Sequence, residues 1–467
     1  MKKSKVTRLD MLKGWRGYLK SVRRKSKFKK RQAGLNKFFS DVNKLKNITG
    51  PGNRKRYRSP FSHPKSLPPK PEYPSVVRYL LSIPKVFSGN GYKKLDDGYF
   101  LVPETFSLID NFSESFEFLK RLLVILQREK AAEVVLDYKN CKRIDVDASL
   151  CMDIMLADFI QYYKRCRSLG YSVGTLSIEP KNYEDEHIKR VLFSIGAYRN
   201  IVGISINFPD VEALPVLLGN REDPDRDSKC EVHSTKIVEY VKRCLNRLNR
   251  SLTAEAEDSL YKVLGETITN AEEHGTSKYR YAIGFFQDKI DSDDHFGIFN
   301  FSILNFGETI YQKFKSPECP NKKVVQQMED LSESYTSAGF FRPATFEEDT
   351  LWTLYALQQG VTSLPRRRGS GCIQYIENFF KLKGNLDRDN ISQMVLVSGN
   401  TRIIFNGSYP ILTTIENGRK FKRITFNDSE KISDEPDKKY VTFAPHYFPG
   451  VLISARILIK YANTNSE

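Results

Sequence analysis

Residues 256–275 read Ala-Glu-Asp-Ser-Leu-Tyr-Lys-Val-Leu-Gly-Glu-Thr-Ile-Thr-Asn-Ala-Glu-Glu-His-Gly, and the reading of the whole chain turns on them. Leu260, Leu264, Ile268 and Ala271 fall in a narrow arc at helical spacing, which predicts one amphipathic helix with a core stripe. Glu266, Asn270 and His274 recur every four residues, so they stack one turn apart on a neighbouring face. Gly275 is a natural helix stop. A carboxylate and a carboxamide one turn apart, beside a buried stripe, suit the wall of a pocket. Mg²⁺ takes few protein oxygens and leaves room for phosphates and water. A carboxylate next to it can orient or deprotonate a water. Taken alone, the same three residues also read as a solvated helix face.

Two later stretches add to this. Ile303-Leu304-Asn305-Phe306-Gly307-Glu308-Thr309-Ile310 is an apolar strand running into a glycine turn. Arg368-Gly369-Ser370-Gly371-Cys372-Ile373 is a glycine pair opening a helix whose apolar positions are Ile373, Ile376, Phe379 and Phe380. Glycines at a helix N-terminus let backbone N–H groups approach a phosphate, and the helix dipole favours the anion. A single Gly-x-Gly is a weak signal, and the ordered set of three stretches is a stronger one.

This set resembles the GHKL ATPases, the ATP domains of gyrase, histidine kinases, mismatch-repair proteins and heat-shock chaperones. The first family box, Glu-x-x-x-Asn-Ala-x-x-His, is matched by Glu266, Asn270, Ala271 and His274. The second, Asp-x-Gly-x-Gly, is met by Asn305 to Thr309, and the third, Gly-x-Gly-Leu, by Gly369 to Cys372. Phe448-Pro449-Gly450-Val451-Leu452-Ile453 looks like the family's closing Gly-Thr strand. The resemblance covers residues 230–460. It implies a GHKL (Bergerat) α/β sandwich with a sheet of mixed strand order and helices on one face. It implies ATP and Mg²⁺ as cofactors, with Asn270 on Mg²⁺ and Glu266 activating the attacking water. Asn305 would read the adenine amino group. His274, Gly307, Arg368, Gly369, Ser370 and Gly371 complete the expected nucleotide site, with residues 308–368 as the ATP lid. Arg366, Arg367 and Arg368 would lie within reach of the phosphates. Two positions depart from the family. Asn305 stands where the family has Asp, so its amide oxygen accepts as a neutral group and in one flip state. Thr309 replaces the second glycine, which loosens the expected backbone approach.

The chain of 467 residues has room for two or three domains. Its longest strongly apolar run near a helix, Leu122 to Leu126, is far too short to span a bilayer, and the N-terminus lacks a secretory apolar region. Seven scattered cysteines without Cys-x-x-Cys suggest a reducing cytoplasmic setting, and they argue against a disulfide framework or a zinc site. The net charge of +18 is concentrated at one end. Residues 1–70 hold 23 Lys and Arg against Asp10 and Asp41, or +21, and the rest has 51 basic against 54 acidic residues, or −3.

Residues 1–75 are therefore expected to be a disordered basic arm and Pro-rich linker. Leu12, Trp15, Leu19 and Val22 would line one short amphipathic helix within it. Basic and aromatic residues interleaved in this way suit nucleic acid, and equally an anionic membrane or another polyanion. A solvated tail is the plain alternative.

Residues 76–210 alternate strands and helices, which predicts an α/β layer. Val134-Val135-Leu136-Asp137, followed after seven residues by Asp145-Val146-Asp147-Ala148, resembles the STAS domain of anti-sigma-factor antagonists. In phosphorylated antagonists a Ser follows the Asp of this turn. Here Val146 stands there, and Ser149 falls inside the next helix. Residues 211–230 read as a polar connection, followed by a helix at about 235–250. The expected fold class is thus α/β and α+β multidomain, with domains at 76–210 and 230–460. The expected function is an ATP-gated switch with slow hydrolysis, with a protein partner on the STAS-like domain. A partner-switching serine/threonine kinase is one alternative. A non-catalytic subunit of a toxin–antitoxin or antiviral defence system is another.

Overall fold

The computed structural model describes residues 69–73, 75–81, 98–127, 132–174, 176–196, 199, 203–274, 279–291, 294–343, 345–363, 371–383, 391–416 and 419–461. All of these belong to one compact unit, Leu67–Glu467. The helix expected within residues 1–50 lies outside the described residues.

The described chain is mixed α/β, with parallel and antiparallel sheets. It opens with helix α1 (Ser75–Leu81). Strands β1 (Tyr99–Leu101), β3 (Ala132–Asp137) and β5 (Leu176–Lys181) form a parallel sheet in the order β1-β3-β5. The short strands β2 (Thr105–Phe106) and β4 (Arg143–Ile144) pair in parallel beside it. Between them run α2 (Phe112–Leu126) and α3 (Val146–Ser168), and α4 (Glu186–Ser194) follows β5. Parallel strands need crossovers, and α2 and α3 supply them.

The second half is built on five strands, β6 (Val211–Asn220), β7 (Tyr279–Asp291), β8 (Asp294–Phe306), β9 (Gln393–Phe405) and β12 (Val441–Lys460). Their order is β6-β7-β8-β12-β9, with β12 inserted between β8 and β9, and every pairing is antiparallel. A hairpin, β10 (Leu412–Glu416) with β11 (Arg419–Arg423), stands apart from this sheet.

Strand periodicity divides the core. Ile303 of β8 and Met394 and Leu396 of β9 bury on one side with α5 (Arg226–Arg247), α6 (Ala254–His274) and α10 (Gly371–Lys383). The next residues along, Leu304, Val395 and Val397, bury on the other side with the apolar faces of α2, α3 and α4. Alternate side chains of a strand face opposite ways, so a sheet covered on both faces must be apolar at nearly every position. The helices expected on one face of this sheet thus have counterparts on the other, supplied by the N-terminal half.

Two expectations are corrected here. Residues 211–220 are the edge strand β6 and not a polar connection. Its Pro215 sits at a register shift between Leu214 and Leu217, where an edge strand tolerates a missing N–H donor. The helix expected at about 235–250 begins earlier, as α5 at Arg226. Strand β9 runs unbroken through Gly399, whose φ of +60 suits glycine.

Residues 308–363 carry α7 (Ile310–Lys315), α8 (Lys322–Ser337) and α9 (Glu348–Ala356). Trp352 of α9 is fully buried, and its indole N–H donates to Ser332 Oγ at 2.7 Å. Most of the segment expected as a lid is therefore part of the core, with Phe314, Met328, Tyr335, Phe346 and Leu351 buried alongside Trp352.

Candidate functional site

Helix α6 forms where its periodicity predicts, and Leu260, Leu264 and Ile268 are buried in its stripe. One turn of it, Thr267 to Ala271, walls a cavity of about 150 Å³. Strand β8 contributes Ile303 and Asn305, the following turn contributes Glu308 and Thr309, and α10 contributes Cys372, Tyr375 and Ile376. Strand β12 closes it with Val451 and Ile453. A space of this size holds an aromatic ring system. A larger ligand would extend out of it, past the exposed Glu308 and half-buried Lys313.

The three stretches singled out in the sequence thus meet around one cavity. Asn305 and Thr309 line it, and Gly307 lies between them. Gly371 is the first residue of α10, next to Cys372. Glu266 and Asn270 lie on α6, each one position before a lining residue, and His274 is the last residue of that helix. The side chains of Glu266, Asn270 and His274 lie outside the described part of the structure, as do Arg366, Arg367, Arg368, Gly369 and Ser370.

Asn305 is the best-defined polar group. It is 1% exposed, and its Nδ2 has no hydrogen-bond partner. It is flanked by Arg280 of β7 and Val451 of β12, its register partners on either side. Gly450 makes this geometry possible. A Cβ at Gly450 would lie 2.1 Å from the Asn305 carbonyl oxygen, so β12 could not close on β8 with any other residue there.

Thr309, the departure from glycine, has a local role. Its hydroxyl accepts from Gln312 N–H at 3.1 Å, and its own N–H donates to Gln312 Oε1 at 3.0 Å, a capping box that starts α7. The Thr-x-x-Gln spacing was available in the sequence as the signal for it. The next residue, Ile310, donates its N–H to Ser398 Oγ at 2.9 Å, which ties the turn to β9.

Beside Asn305, the fully buried Arg280 donates to Glu272 Oε1 and to His233 Nδ1, each at 2.8 Å. Burial, with the Arg280 charge next, pushes the His233 imidazole down to about 4, so it stays neutral and accepts. Cys230 donates its thiol to Glu272, and burial pushes that thiol up to about 11, out of the nucleophilic range.

The reverse face of β12 meets the N-terminal half. Ser454 Oγ and Ser302 Oγ lie 2.7 Å apart. Arg456 donates to Asp110 Oδ2 at 2.5 Å and to Asp145 Oδ2 at 3.4 Å. Asp145 precedes Val146, the first residue of α3, and Ser149 is fully buried within that helix. Tyr79 of α1 donates its hydroxyl to the Gly307 carbonyl, directly behind the turn that lines the cavity. Neither Tyr79 nor Arg456 belongs to a motif, so sequence reading had no signal for them.

Among the described residues, no group of three or more His, Cys, Asp or Glu could hold a metal ion. None of their helices is long and apolar enough to cross a membrane. No family model, curated protein or solved structure matches the chain.

Proposed function

We propose that the cavity between α6, the 305–309 turn and α10 binds the base of ATP, and that the chain is an ATP-gated switch of GHKL type. The observation that carries this is Asn305. A fully buried amide nitrogen without a partner is costly unless a ligand supplies an acceptor, and the residue that carries it lines a largely apolar space of ring-system size.

In this reading Asn305 hydrogen-bonds the adenine edge, and Ile303, Ile376 and Ile453 pack on the ring. Asn270 holds Mg²⁺, Glu266 orients the attacking water, and the backbone N–H groups opening α10 face the phosphates. Mg²⁺ would supply charge neutralisation at the phosphates. The N-terminal half acts as a STAS-like relay without its phosphosite, because Val146 has no hydroxyl and Ser149 is buried in α3. Strand β12 supports the coupling, since Val451 and Ile453 line the cavity while Ser454 and Arg456 face the N-terminal half. A shift of this strand on binding would be felt on both sides.

Calorimetric titration with ATP and Mg²⁺ tests the reading. Wild type should bind, Asn270→Ala should lose Mg²⁺-dependent binding, and Glu266→Ala should bind without hydrolysing. Absence of nucleotide affinity in wild type rules the reading out. Labelled γ-phosphate, followed into free phosphate or into protein, separates an ATPase from a kinase.

A further inference from the structure

We propose that Asn305 widens the base specificity of this cavity, so that nucleotides of 6-oxopurines such as inosine bind alongside those of adenine. The inference rests on the nucleotide reading above. A carboxylate at this position could only accept hydrogen bonds, so in a fixed pose it selects a base that presents a donor, the adenine 6-amino group. A carboxamide carries one acceptor and one donor side by side. Adenine offers the complementary pair, a 6-amino donor beside the N1 acceptor. Hypoxanthine offers the same pair reversed, an O6 acceptor beside the N1–H donor. Turning the amide by half a turn about its last bond matches either edge.

Three observations favour this. Among the described residues, Asn305 Nδ2 is the one buried side-chain polar atom of the cavity lining that has no partner, so no protein hydrogen bond holds the amide nitrogen in one orientation. The residue is 1% exposed and lines the cavity, so bulk water does not reach that donor. The other cavity residues that share its strand or its strand partner, Ile303, Val451 and Ile453, are apolar and reject neither edge. Inosine differs from adenosine at this edge without the extra 2-amino group of guanosine, so it isolates the edge from the question of size.

The test is calorimetric titration of the full-length protein with ATP and with ITP, each with Mg²⁺, on wild type and Asn305→Asp. Wild type should bind the two with affinities less than about tenfold apart, and Asn305→Asp should shift the ratio of the two affinities by about ten- to a hundredfold against ITP. Wild type that binds ATP but disfavours ITP by more than about tenfold overturns the proposal. So does an Asn305→Asp protein that folds and leaves the ratio unchanged. If circular dichroism shows Asn305→Asp unfolded, the wild-type ratio decides alone. If neither nucleotide binds wild type, the nucleotide reading itself has failed, and that result is distinct from ATP binding without ITP.

Discussion

The hydroxyl of Tyr79 donates to the carbonyl of Gly307, 228 residues further along the chain. It ties the first described helix, α1, to the back of the turn that carries Thr309 into the cavity. Tyr79→Phe keeps the ring and removes the hydrogen bond. The variant should lose about 0.5–1.5 kcal/mol of stability in urea titration. If the cavity binds nucleotide as proposed, that affinity should also fall, because the 305–309 turn is then held from one side fewer. An unchanged midpoint would show that the contact carries no stability.

Arg456 pairs with Asp110 and Asp145, and its side chain is 9% exposed against 5% for Asp145. The guanidinium holds the Asp110 carboxyl below its ordinary range despite the opposing effect of burial. Arg456→Met leaves Arg143 as the remaining cationic partner of Asp110 and of the buried Asp145, so the loss should fall short of the about 3–5 kcal/mol of a fully orphaned buried charge. Adding Asp145→Asn to Arg456→Met should recover part of that loss, and a double-mutant cycle by urea unfolding measures how much.

Thr309→Ala removes the acceptor of the capping box and should cost about 0.5–2 kcal/mol, whereas Thr309→Gly should cost only a few tenths. Thermal unfolding of the two variants compares them directly. Equal losses would mean that the threonine matters for packing and not as a cap.

Burial pushes the Asp158 carboxyl up to about 7 and that of Asp349 up to about 6. Unfolded, both would titrate near the ordinary value of about 3.9. Between those values the folded protein holds protons that the unfolded chain has released, so stability falls as pH rises. The contribution is fully present below about pH 4 and is lost by about pH 7. Asp158→Asn should therefore narrow the difference in melting temperature between pH 5 and pH 8, chiefly by raising the value at pH 8. If the pH 5 to pH 8 difference stays as wide, Asp158 is not the group responsible.

Residues 1–70 carry a charge of +21 and precede α1, which begins at Ser75. If the arm binds a polyanion, its affinity should fall steeply with salt, because each phosphate contact releases condensed counterions. Deleting 1–70 should abolish retention on nucleic acid and anionic vesicles while leaving the melting temperature of the remainder unchanged. Trp15→Ala should weaken single-strand binding by about 1–3 kcal/mol if bases stack on it. No retention of full-length protein at low salt would leave the arm without a polyanion partner.

What the sequence determined by itself was local. The stripe of Leu260, Leu264 and Ile268 places α6 within two residues of its observed start, because helical periodicity is written inside a single window. The glycine pair marked the start of α10 at Gly371 for the same reason. Other local signals are present in the chain. Asn417-Gly418 between two apolar-polar alternations is a hairpin signal, and it separates β10 from β11. Thr309 and Gln312 spelled a capping box.

Tertiary structure decided what sits beside what. In β6, Pro215 argues against a strand until an edge position and a register shift make room for it. Strand β12 slots between β8 and β9, so Val451 comes beside Asn305, and Arg456 reaches Asp110 at a separation of 346 residues. No window of sequence contains both members of such pairs. They are chosen because a sheet with apolar residues on both faces must be covered on both, and the N-terminal half buries the second face. The orphan nitrogen of Asn305 follows from that burial. The residue type was visible in the chain, but its lack of a partner exists only once β7, β8 and β12 are paired around it.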